Sequence, residues 1–204
     1  MKIFLVILSC YLLGSIPFGY ITGKIFKKVD IREYGSGNIG ATNVSRILGF
    51  KLAFLVALGD VGKGILAIYL ARLLNADNLI ILVIAGLAVI CGHNWSLFLK
   101  FTGGKGIATT FGVIFMFNSI AILWALVVWI SITALTRYVS LASMSSVASI
   151  LLFMILFKQP VEYITFSAII FAFAVIRHKE NIKRLISGKE RKFGEKIEIK
   201  SDKK

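Results

Sequence analysis

The sequence predicts an all-α membrane protein, built as one polytopic bundle of about seven transmembrane helices. Of its 204 residues, 57% are hydrophobic, and the mean hydropathy is +0.84. Only 17% are charged, whereas roughly a quarter of the residues in a soluble domain carry a charge. The apolar runs are long, and about 20 residues rising 1.5 Å each cross the hydrocarbon core. These observations exclude a water-soluble globule and a disordered chain, and they leave no room for a second folded domain.

Seven apolar segments are expected to form helices, with six as the fallback number. They lie near residues 3–23, 51–73, 78–98, 106–118, 119–136, 140–158 and 161–177. The run Ile107–Leu135 is too long for one span, so we divide it near Asn118–Ser119; one long tilted helix is the alternative. We expect residues 1–178 to form the bundle with its cytoplasmic active-site loops and residues 179–204 to form a basic cytoplasmic tail, of which residues 182–204 are solvated and can touch anionic lipid. The first run lacks a small-residue cleavage site, so we expect it to stay as a spanning helix.

The distribution of Lys and Arg predicts how the bundle lies in the membrane. With seven spans and the N-terminus outside, 20 of the 24 Lys and Arg residues fall in the cytoplasmic loops and tail. Lys2, Arg72 and Lys158 fall outside, and Lys63 lies within a span. Because cytoplasmic loops carry the excess of Lys and Arg, we expect the C-terminus in the cytoplasm.

The net charge of +14 predicts an anionic partner, either a lipid surface or an anionic substrate. Most of the chain must lie in lipid, so we expect no nucleic-acid partner, and the sequence points to no protein partner. Cys10 and Cys91 fall in apolar runs without metal-ligand spacing, where buried unpaired thiols are expected. Asp30 and Glu33 are the only acids in the cytoplasmic loops before the tail. They do not make a carboxylate cluster for a divalent metal, and we predict neither a metal nor a cofactor.

The first polar motif is a glycine-rich loop, residues 35–46 (GSGNIGATNVSR). Its GxGxxG spacing would signal dinucleotide binding only after a buried strand, and the charged segment 27–34 is no such strand. Glycines let backbone N–H groups approach an anion, and the start of a following helix adds its positive dipole end. Further donors come from Ser36, Asn38, Thr42, Asn43 and the charged Arg46. We interpret the loop as an oxyanion site, with a plain polar turn as the alternative.

The second motif, residues 92–106 (GHNWSLFLKFTGGKG), contains a Gly-Gly-Lys-Gly run directly before a predicted helix. Gly103, Gly104 and Lys105 indicate a second phosphate cradle. It is not a Walker A loop, because no glycine stands five residues before Gly104. The alternative for Lys105 is a lysine that extends from a helix end to the membrane surface. His93 is either a phosphate ligand or a satisfied interfacial histidine.

Two further motifs flank the last two spans. Residues 137–146 (RYVSLASMSS) carry four serines; we expect one to cap the sixth helix and the others to bind a ligand or pack between helices. Residues 177–181 (RHKEN) stand where the last span leaves the membrane. Arg177 fits a stop-transfer charge, and His178 and Asn181 share one face if the helix continues.

Asp60 and Lys63 lie three residues apart within the second span. An ionisable pair inside a membrane is costly and is a functional candidate by default. We favour the plainer interpretation, a self-neutralising pair that faces the bundle interior and supports the site indirectly.

Taken together, the motifs resemble one family. The stretches GSGNIGATNVSR, GHNWSLFLKFTGGKG, RYVSLASM and RHKEN are similar, in this order, to the bacterial acyl-phosphate:glycerol-3-phosphate acyltransferases. The resemblance covers nearly the whole chain except the lysine-rich tail. It implies an integral enzyme of phospholipid synthesis in the bacterial inner membrane. The implied reaction transfers a fatty acyl group from acyl phosphate to the 1-hydroxyl of glycerol 3-phosphate, giving lysophosphatidate and phosphate.

The resemblance also implies roles for individual residues. The implied catalytic residues are Lys105, Arg46, His178 and Ser143. The implied substrate- and phosphate-binding residues are Ser36, Gly37, Asn38, Thr42, Asn43, His93, Gly103, Gly104 and Asn181. Which loop holds which phosphate stays open. The resemblance further implies direct acyl transfer, in which the departing phosphate accepts the proton.

Two other functions stay open at this point: an organophosphate carrier and a phospholipid-modifying enzyme of another kind. A carrier would share the cationic, glycine-rich sites, but carriers usually show internal repeats and broken helices near the midplane. Here all polar motifs are predicted at one face. No HxxxxD motif is present, since the fifth residue after His93 is Phe98 and the fifth after His178 is Lys183. We therefore expect acyl phosphate, and not acyl-coenzyme A, as the donor.

Overall fold

The computed structural model describes residues 2–75 and 78–197. Over these residues the chain forms ten α-helices and two short 3-10 turns, Ile31–Glu33 and Leu97–Leu99, with no β-strand. The helices are α1 Lys2–Ser15, α2 Phe18–Lys27, α3 Ala41–Leu48, α4 Phe50–Asn75, α5 Leu79–Asn94, α6 Ile107–Phe117, α7 Ser119–Thr136, α8 Val139–Leu156, α9 Val161–Arg177 and α10 Lys179–Ile186. The predicted all-α class is confirmed.

Each of the seven predicted segments contains a helix, but the helices differ in length. By length and composition, four can cross a membrane: Ile3–Lys27, Phe50–Leu74, Ser119–Thr136 and Val139–Leu156. The first of these joins α1 and α2, and α9 passes the same test only together with α10, from which it is bent by 61°. The helices α5 and α6 are shorter, with 16 and 11 residues. The protein is a multi-pass membrane protein, while the number of seven spans stays a prediction.

Two breaks between helices follow from single residues. The first segment, predicted as one helix over 3–23, is interrupted at Pro17, because proline cannot donate a backbone hydrogen bond and disfavours a helical residue before it. The predicted division near Asn118–Ser119 is confirmed. Asn118 Oδ1 accepts hydrogen bonds from the N–H groups of Ile120 and Ala121 at 3.0 and 2.9 Å, and so caps α7.

Glycines set the closest helix contacts. A Cβ atom on Gly14 of α1 or Gly92 of α5 would overlap a carbonyl of the opposite helix, and Gly64 and Gly112 bring α4 and α6 together in the same way. Small residues allow such close approach of helix backbones in a membrane. Because α4 also packs against α5, their polar residues Asp60 and His93 lie side by side.

The loops gather at two opposite ends of the bundle. At one end, Asn118 Nδ2 donates to Gln159 Oε1 at 2.9 Å, and Arg72 donates to the Met116 carbonyl. Residues 76–77 of the predicted outer turn lie outside the described residues. The polar motifs meet at the other end.

The tail differs from the solvated segment that we expected. Glu190 is only 8% exposed, and the Phe193 N–H donates to the Arg137 carbonyl at 2.7 Å. The expectation of a solvated tail is therefore wrong at these positions. The tail folds back onto the cationic end of the bundle because the Glu190 carboxylate is bound there by hydrogen-bond donors. The division of the chain at residue 178 stays a prediction, and residues 198–204 lie outside the described part.

Candidate active site

One side chain, Asn43 in the first turn of α3, holds the first glycine loop in shape. Its Oδ1 accepts a hydrogen bond from the Ser36 N–H at 2.9 Å. Its Nδ2 donates to the carbonyls of Ile31 and Tyr34 at 3.1 and 3.2 Å. Asn43 is buried, and two carbonyls of the segment just before the loop occupy both of its donors. Its contribution to the site is therefore the shape of the loop.

Several side-chain donors of this loop stay open, whereas the Gly37 N–H donates to the Tyr34 carbonyl at 3.0 Å. Ser36 and Gly37 are exposed, and Gly37 has a φ of +70°, a region that favours glycine. Asn38 accepts the Gly40 N–H at 2.8 Å through its Oδ1, which leaves its Nδ2 available. Within the described part of the chain, the hydroxyls of Ser36 and Thr42 form no hydrogen bond.

The second glycine loop is clamped from two sides. The Gly104 N–H donates to the His93 carbonyl at 3.0 Å. From the other side, the Arg177 guanidinium donates to the carbonyls of Gly103 and Gly104 at 3.0 and 2.8 Å, and it lies 5.5 Å from the ring centroid of Trp95. The predicted cradle of free N–H groups is thus incomplete at Gly104, because its N–H is already bonded.

Lys105 begins a chain of polar contacts that joins three motifs. Its ammonium donates to Asn181 Oδ1, and Asn181 Nδ2 donates to Glu190 Oε1 at 2.7 Å. The Ser140 hydroxyl donates to the same oxygen at 2.8 Å, and Arg184 Nε donates to Glu190 Oε2 at 2.8 Å. One carboxylate therefore brings together residues that are far apart in the sequence.

The charges of this chain depend on burial and on their neighbours. The pKa of Lys105 is lowered to about 8, mainly by burial; Glu190 opposes this shift, and nearby guanidinium groups contribute to it. These groups belong to Arg184, Arg177 and Arg46. Burial alone would raise the pKa of Glu190, but the hydrogen bonds that it accepts hold it below its ordinary value. Glu190 is therefore ionised at neutral pH, and Lys105 is still largely protonated.

Arg46 is the second cation of the site and is buried, with 8% exposure, whereas Lys105 is half-buried. Its Nη2 donates to the Arg191 carbonyl at 3.3 Å, and its own carbonyl accepts the Ile197 N–H at 2.9 Å. Its Nε has no partner among the described residues. Neither Arg46 nor Lys105 forms an ion pair with a carboxylate over residues 2–75 and 78–197. Burying cations without such partners is costly, so this end of the bundle is suited to an anion.

His178 follows α9, outside the spanning segments, at the bend to α10. The condition under which His178 and Asn181 would share one helix face, a continuing helix, is not met, because the two helices are bent by 61°. His178 Nδ1 lies 2.8 Å from the Ala174 carbonyl, which can only accept, so Nδ1 carries the proton and Nε2 has a free lone pair. The pKa of His178 is lowered to about 4, mainly by burial and in part by the charge of Lys105. His178 is therefore neutral at physiological pH.

The two glycine loops face each other across one cavity of about 360 Å³, which Gly37, Ile39, Thr102 and Gly103 line. Its other lining residues are Asp30, Arg32 and Glu33. This volume is within the range of small-molecule sites. The described residues contain no group of three or more His, Cys, Asp or Glu side chains placed to hold a metal ion.

Two residues of the predicted site lie apart from this network. Ser143 accepts a hydrogen bond from Trp129 Nε1 at 3.3 Å, and none joins it to His178 in the described part of the chain. His93 is buried beneath the second loop, where its Nδ1 is 2.7 Å from Lys63 Nζ.

The serine cap predicted for α8 is wrong. Tyr138 stands at the cap position, and no side chain bonds to the first turn. The Ser140 hydroxyl donates to Glu190 instead, because a carboxylate is a stronger acceptor than a neutral group.

Sequence analysis missed three residues that build the site: Arg177, Glu190 and Arg184. Arg177 was interpreted as a stop-transfer charge, although it stands next to His178. Glu190 is an acid within a basic segment, which was a weak signal. No spacing in the sequence pointed to Arg184.

A helical membrane bundle with a buried Arg46 and a half-buried Lys105 at one end, neither paired with a carboxylate among the described residues, defines a membrane protein that acts on an anionic small molecule. The sequence profile of the family described as glycerol-3-phosphate acyltransferase matches residues 4–188. The chain belongs to this family, as its four motifs indicated.

Individual relatives agree with this membership. The chain is 45% identical over 190 residues to the glycerol-3-phosphate acyltransferase of Thermoanaerobacter pseudethanolicus, covering 93% of this chain and 95% of the relative. It is 43% identical over 199 residues to that of Halalkalibacterium halodurans, covering 95% and 97%. The crystal structure of PlsY (YgiH), an integral membrane glycerol 3-phosphate acyltransferase in its glycerol 3-phosphate form, is similar with a TM-score of 0.90 at 40% identity, covering 95% of this chain and 96% of that one.

Proposed function

We propose that the protein transfers a fatty acyl group from acyl phosphate to the 1-hydroxyl of glycerol 3-phosphate at the cytoplasmic face of a bacterial inner membrane. The products are lysophosphatidate and inorganic phosphate. PlsY (YgiH) has been crystallised in a glycerol 3-phosphate form and in a lysophosphatidic acid form. These molecules are the acceptor and the product of the proposed reaction.

The observation that carries the proposal is the pair of cations formed by the buried Arg46 and the half-buried Lys105, neither of which is paired with a carboxylate in the described structure. Hydrogen bonds from a cation to phosphate are stronger than those between neutral groups. Ser36, Asn38 and Thr42 offer further donors. The site thus suits phosphate groups on both substrates.

An acyl phosphate makes few chemical demands on such a site. The hydroxyl oxygen of glycerol 3-phosphate attacks the acyl carbon, the bond from that carbon to the phosphate oxygen breaks, and phosphate departs with the electron pair. The enzyme has to position the substrates and stabilise the developing charge. Ser36, Gly37, Gly104 and Lys105 hold the acyl-phosphate head. Thr42, Arg46, Ser143, His178 and Asn181 place the acceptor or stabilise the transition state.

The hydroxyl proton passes to the departing phosphate. A phosphate group with a pKa near 6 is a stronger base than His178, whose pKa is about 4. His178 Nε2 can still accept a hydrogen bond from the hydroxyl and orient it. An acyl-enzyme would need a nucleophile activated by a base, whereas the Ser143 hydroxyl accepts a hydrogen bond from Trp129 and forms none with a basic side chain among the described residues. The transfer is therefore direct.

The donor is tested with purified protein in lipid nanodiscs. With palmitoyl phosphate and glycerol 3-phosphate we expect release of inorganic phosphate and formation of lysophosphatidate, measured by mass spectrometry. With palmitoyl-coenzyme A we expect neither product. Arg46→Ala serves as the control for background chemistry and should lower the rate by ~10²–10³. Comparable rates with the two donors would contradict the proposal.

A further inference from the structure

A buried charged cluster lies directly beneath the second glycine loop and takes no part in the proposed chemistry. Asp60 and Lys63 on α4 and His93 on α5 are 2%, 2% and 4% exposed. Lys63 Nζ is 2.9 Å from Asp60 Oδ1 and 2.7 Å from His93 Nδ1, and His93 Nδ1 is 3.3 Å from Asp60 Oδ1. The predicted ion pair of Asp60 and Lys63 is confirmed. His93 is the third residue of the cluster.

The cluster also ties down the first helix. Lys63 Nζ donates to the Ile16 carbonyl at 3.2 Å, at the break that Pro17 makes between α1 and α2. Three helices are therefore joined at one buried point. Ionisable groups in a membrane are costly unless they are paired. Asp60 Oδ1 forms no hydrogen bond among the described residues, so its charge depends on the neighbouring Lys63 ammonium, which is thereby held beside it.

His93 transmits this geometry to the loop. An ammonium can only donate, so His93 Nδ1 accepts from Lys63 and the ring proton lies on Nε2. The Nε2 edge of the ring fills the space at Gly104, where any Cβ atom would overlap it. The Gly104 N–H also donates to the His93 carbonyl at 3.0 Å. The ring therefore forms a floor under the residue that precedes Lys105.

We propose that Asp60 and Lys63 are positioning residues that, through the ring of His93, set the position of the Gly103–Gly104 loop and thereby of Lys105. The proposal rests on the proposed function, in which this loop serves a phosphate-bearing substrate. Arg177 clamps the loop from the opposite side through both glycine carbonyls. The loop is thus held between the His93 ring on one side and the Arg177 guanidinium on the other. If the ring moves, the loop can shift.

The first test separates KM from kcat for the two substrates. Asp60→Asn keeps the shape of the side chain but removes its charge, and Lys63→Met removes the ammonium. A misplacement of about 1 Å can cost 10²-fold, so we expect kcat/KM to fall by up to about that factor. The fall should come from a raised KM for acyl phosphate, whose head the loop holds in the proposed function. The KM for glycerol 3-phosphate should stay constant.

The matched control is Arg72→Met, a cation at the opposite end of the same helix that also bonds a backbone carbonyl. We expect both of its KM values to match those of the unmodified protein. If Asp60→Asn lowers kcat with both KM values unchanged, the cluster only supports folding, and the proposal is overturned. Unchanged kinetics in both cluster variants would overturn it as well.

The second test asks whether Asp60 acts through His93. We expect the double variant Asp60→Asn/His93→Ala to have the same kcat/KM as His93→Ala alone. If Asp60 acts only through His93, its substitution has no further effect once His93 is absent. Effects that multiply would mean that Asp60 acts by another route. If His93→Ala does not insert, Gly104→Ala replaces it, since the added methyl group displaces the loop from the ring. Gly104→Ala should raise the same KM as Asp60→Asn, and an increase confined to the other KM would contradict the proposal.

A binding measurement keeps this proposal separate from the proposed donor. Inorganic phosphate is the probe, and its effect on the thermal unfolding temperature is measured for each variant. If the unmodified protein shows no turnover with acyl phosphate, the proposed donor is wrong, but phosphate should still stabilise it more than Asp60→Asn or Lys63→Met. Equal stabilisation of all three proteins would overturn the positioning role.

Discussion

At the scale of single residues, Lys105 is the group whose charge is most sensitive to pH near neutrality. Burial lowers its pKa to about 8, and Glu190 opposes that shift. The ammonium form is the one that binds phosphate. It dominates at neutral pH, falls to half near the pKa, and is lost at higher pH.

We therefore expect kcat/KM to fall as the pH rises through about 8, because kcat/KM reports the ionisation of the free enzyme. In Lys105→Arg this fall should disappear, since a guanidinium stays protonated over the whole range, although the overall rate should be lower. The measurement is kcat/KM against pH for both proteins. An identical alkaline fall in Lys105→Arg would assign it to another group.

At the scale of elements, the first glycine loop depends on α3. Asn43 accepts from one loop N–H and donates to two carbonyls, whereas Asn38 makes only the single bond to the Gly40 N–H. Both asparagines lie in the same motif, but only Asn43 joins the loop to the helix across a buried contact.

Asn43→Ala should destabilise the protein by about 1–3 kcal/mol, the cost of leaving a buried donor or acceptor without its partner. Asn38→Ala removes a half-buried bond and should cost less. The measurement is thermal unfolding of both variants in the same detergent. If Asn43→Ala and Asn38→Ala lower the unfolding temperature equally, Asn43 does not hold the first glycine loop in shape.

At the scale of the whole molecule, all four motifs lie at one end of the bundle. Lys105 contacts Asn181, Ser140 contacts Glu190, and Arg177 contacts the second glycine loop. The distribution of Lys and Arg predicts that this end faces the cytoplasm.

This orientation is tested by labelling single cysteines in intact cells, after replacing Cys10 and Cys91 by alanine. Ser119→Cys lies at the end opposite the motifs and should react with a membrane-impermeant maleimide. Lys196→Cys should react only after the cells are permeabilised. The reverse pattern would place the site on the outer face and contradict the proposed location.

The membrane class and the helical segments could be predicted from the amino-acid sequence alone, and so could the polar, cationic character proposed for the site. Hydrophobic length is a local property, so the runs predicted α4 and α7 closely, and Asn118 marked the division between α6 and α7 through its capping bonds. The clustering of glycines, amides and cations in short motifs was visible in the same way.

Only the tertiary structure decided which residues meet. Lys105 and Asn181 form a hydrogen bond although they are 76 residues apart in the sequence. Glu190, in the tail that was expected to be solvated, accepts hydrogen bonds from both Asn181 and Ser140. Likewise, the His93 side chain contacts the buried Asp60 and Lys63 and does not lie on the exposed side of the second glycine loop. The physical reason is that a buried charge takes its partners from whatever elements the packing brings near, and no local pattern in the sequence encodes that choice.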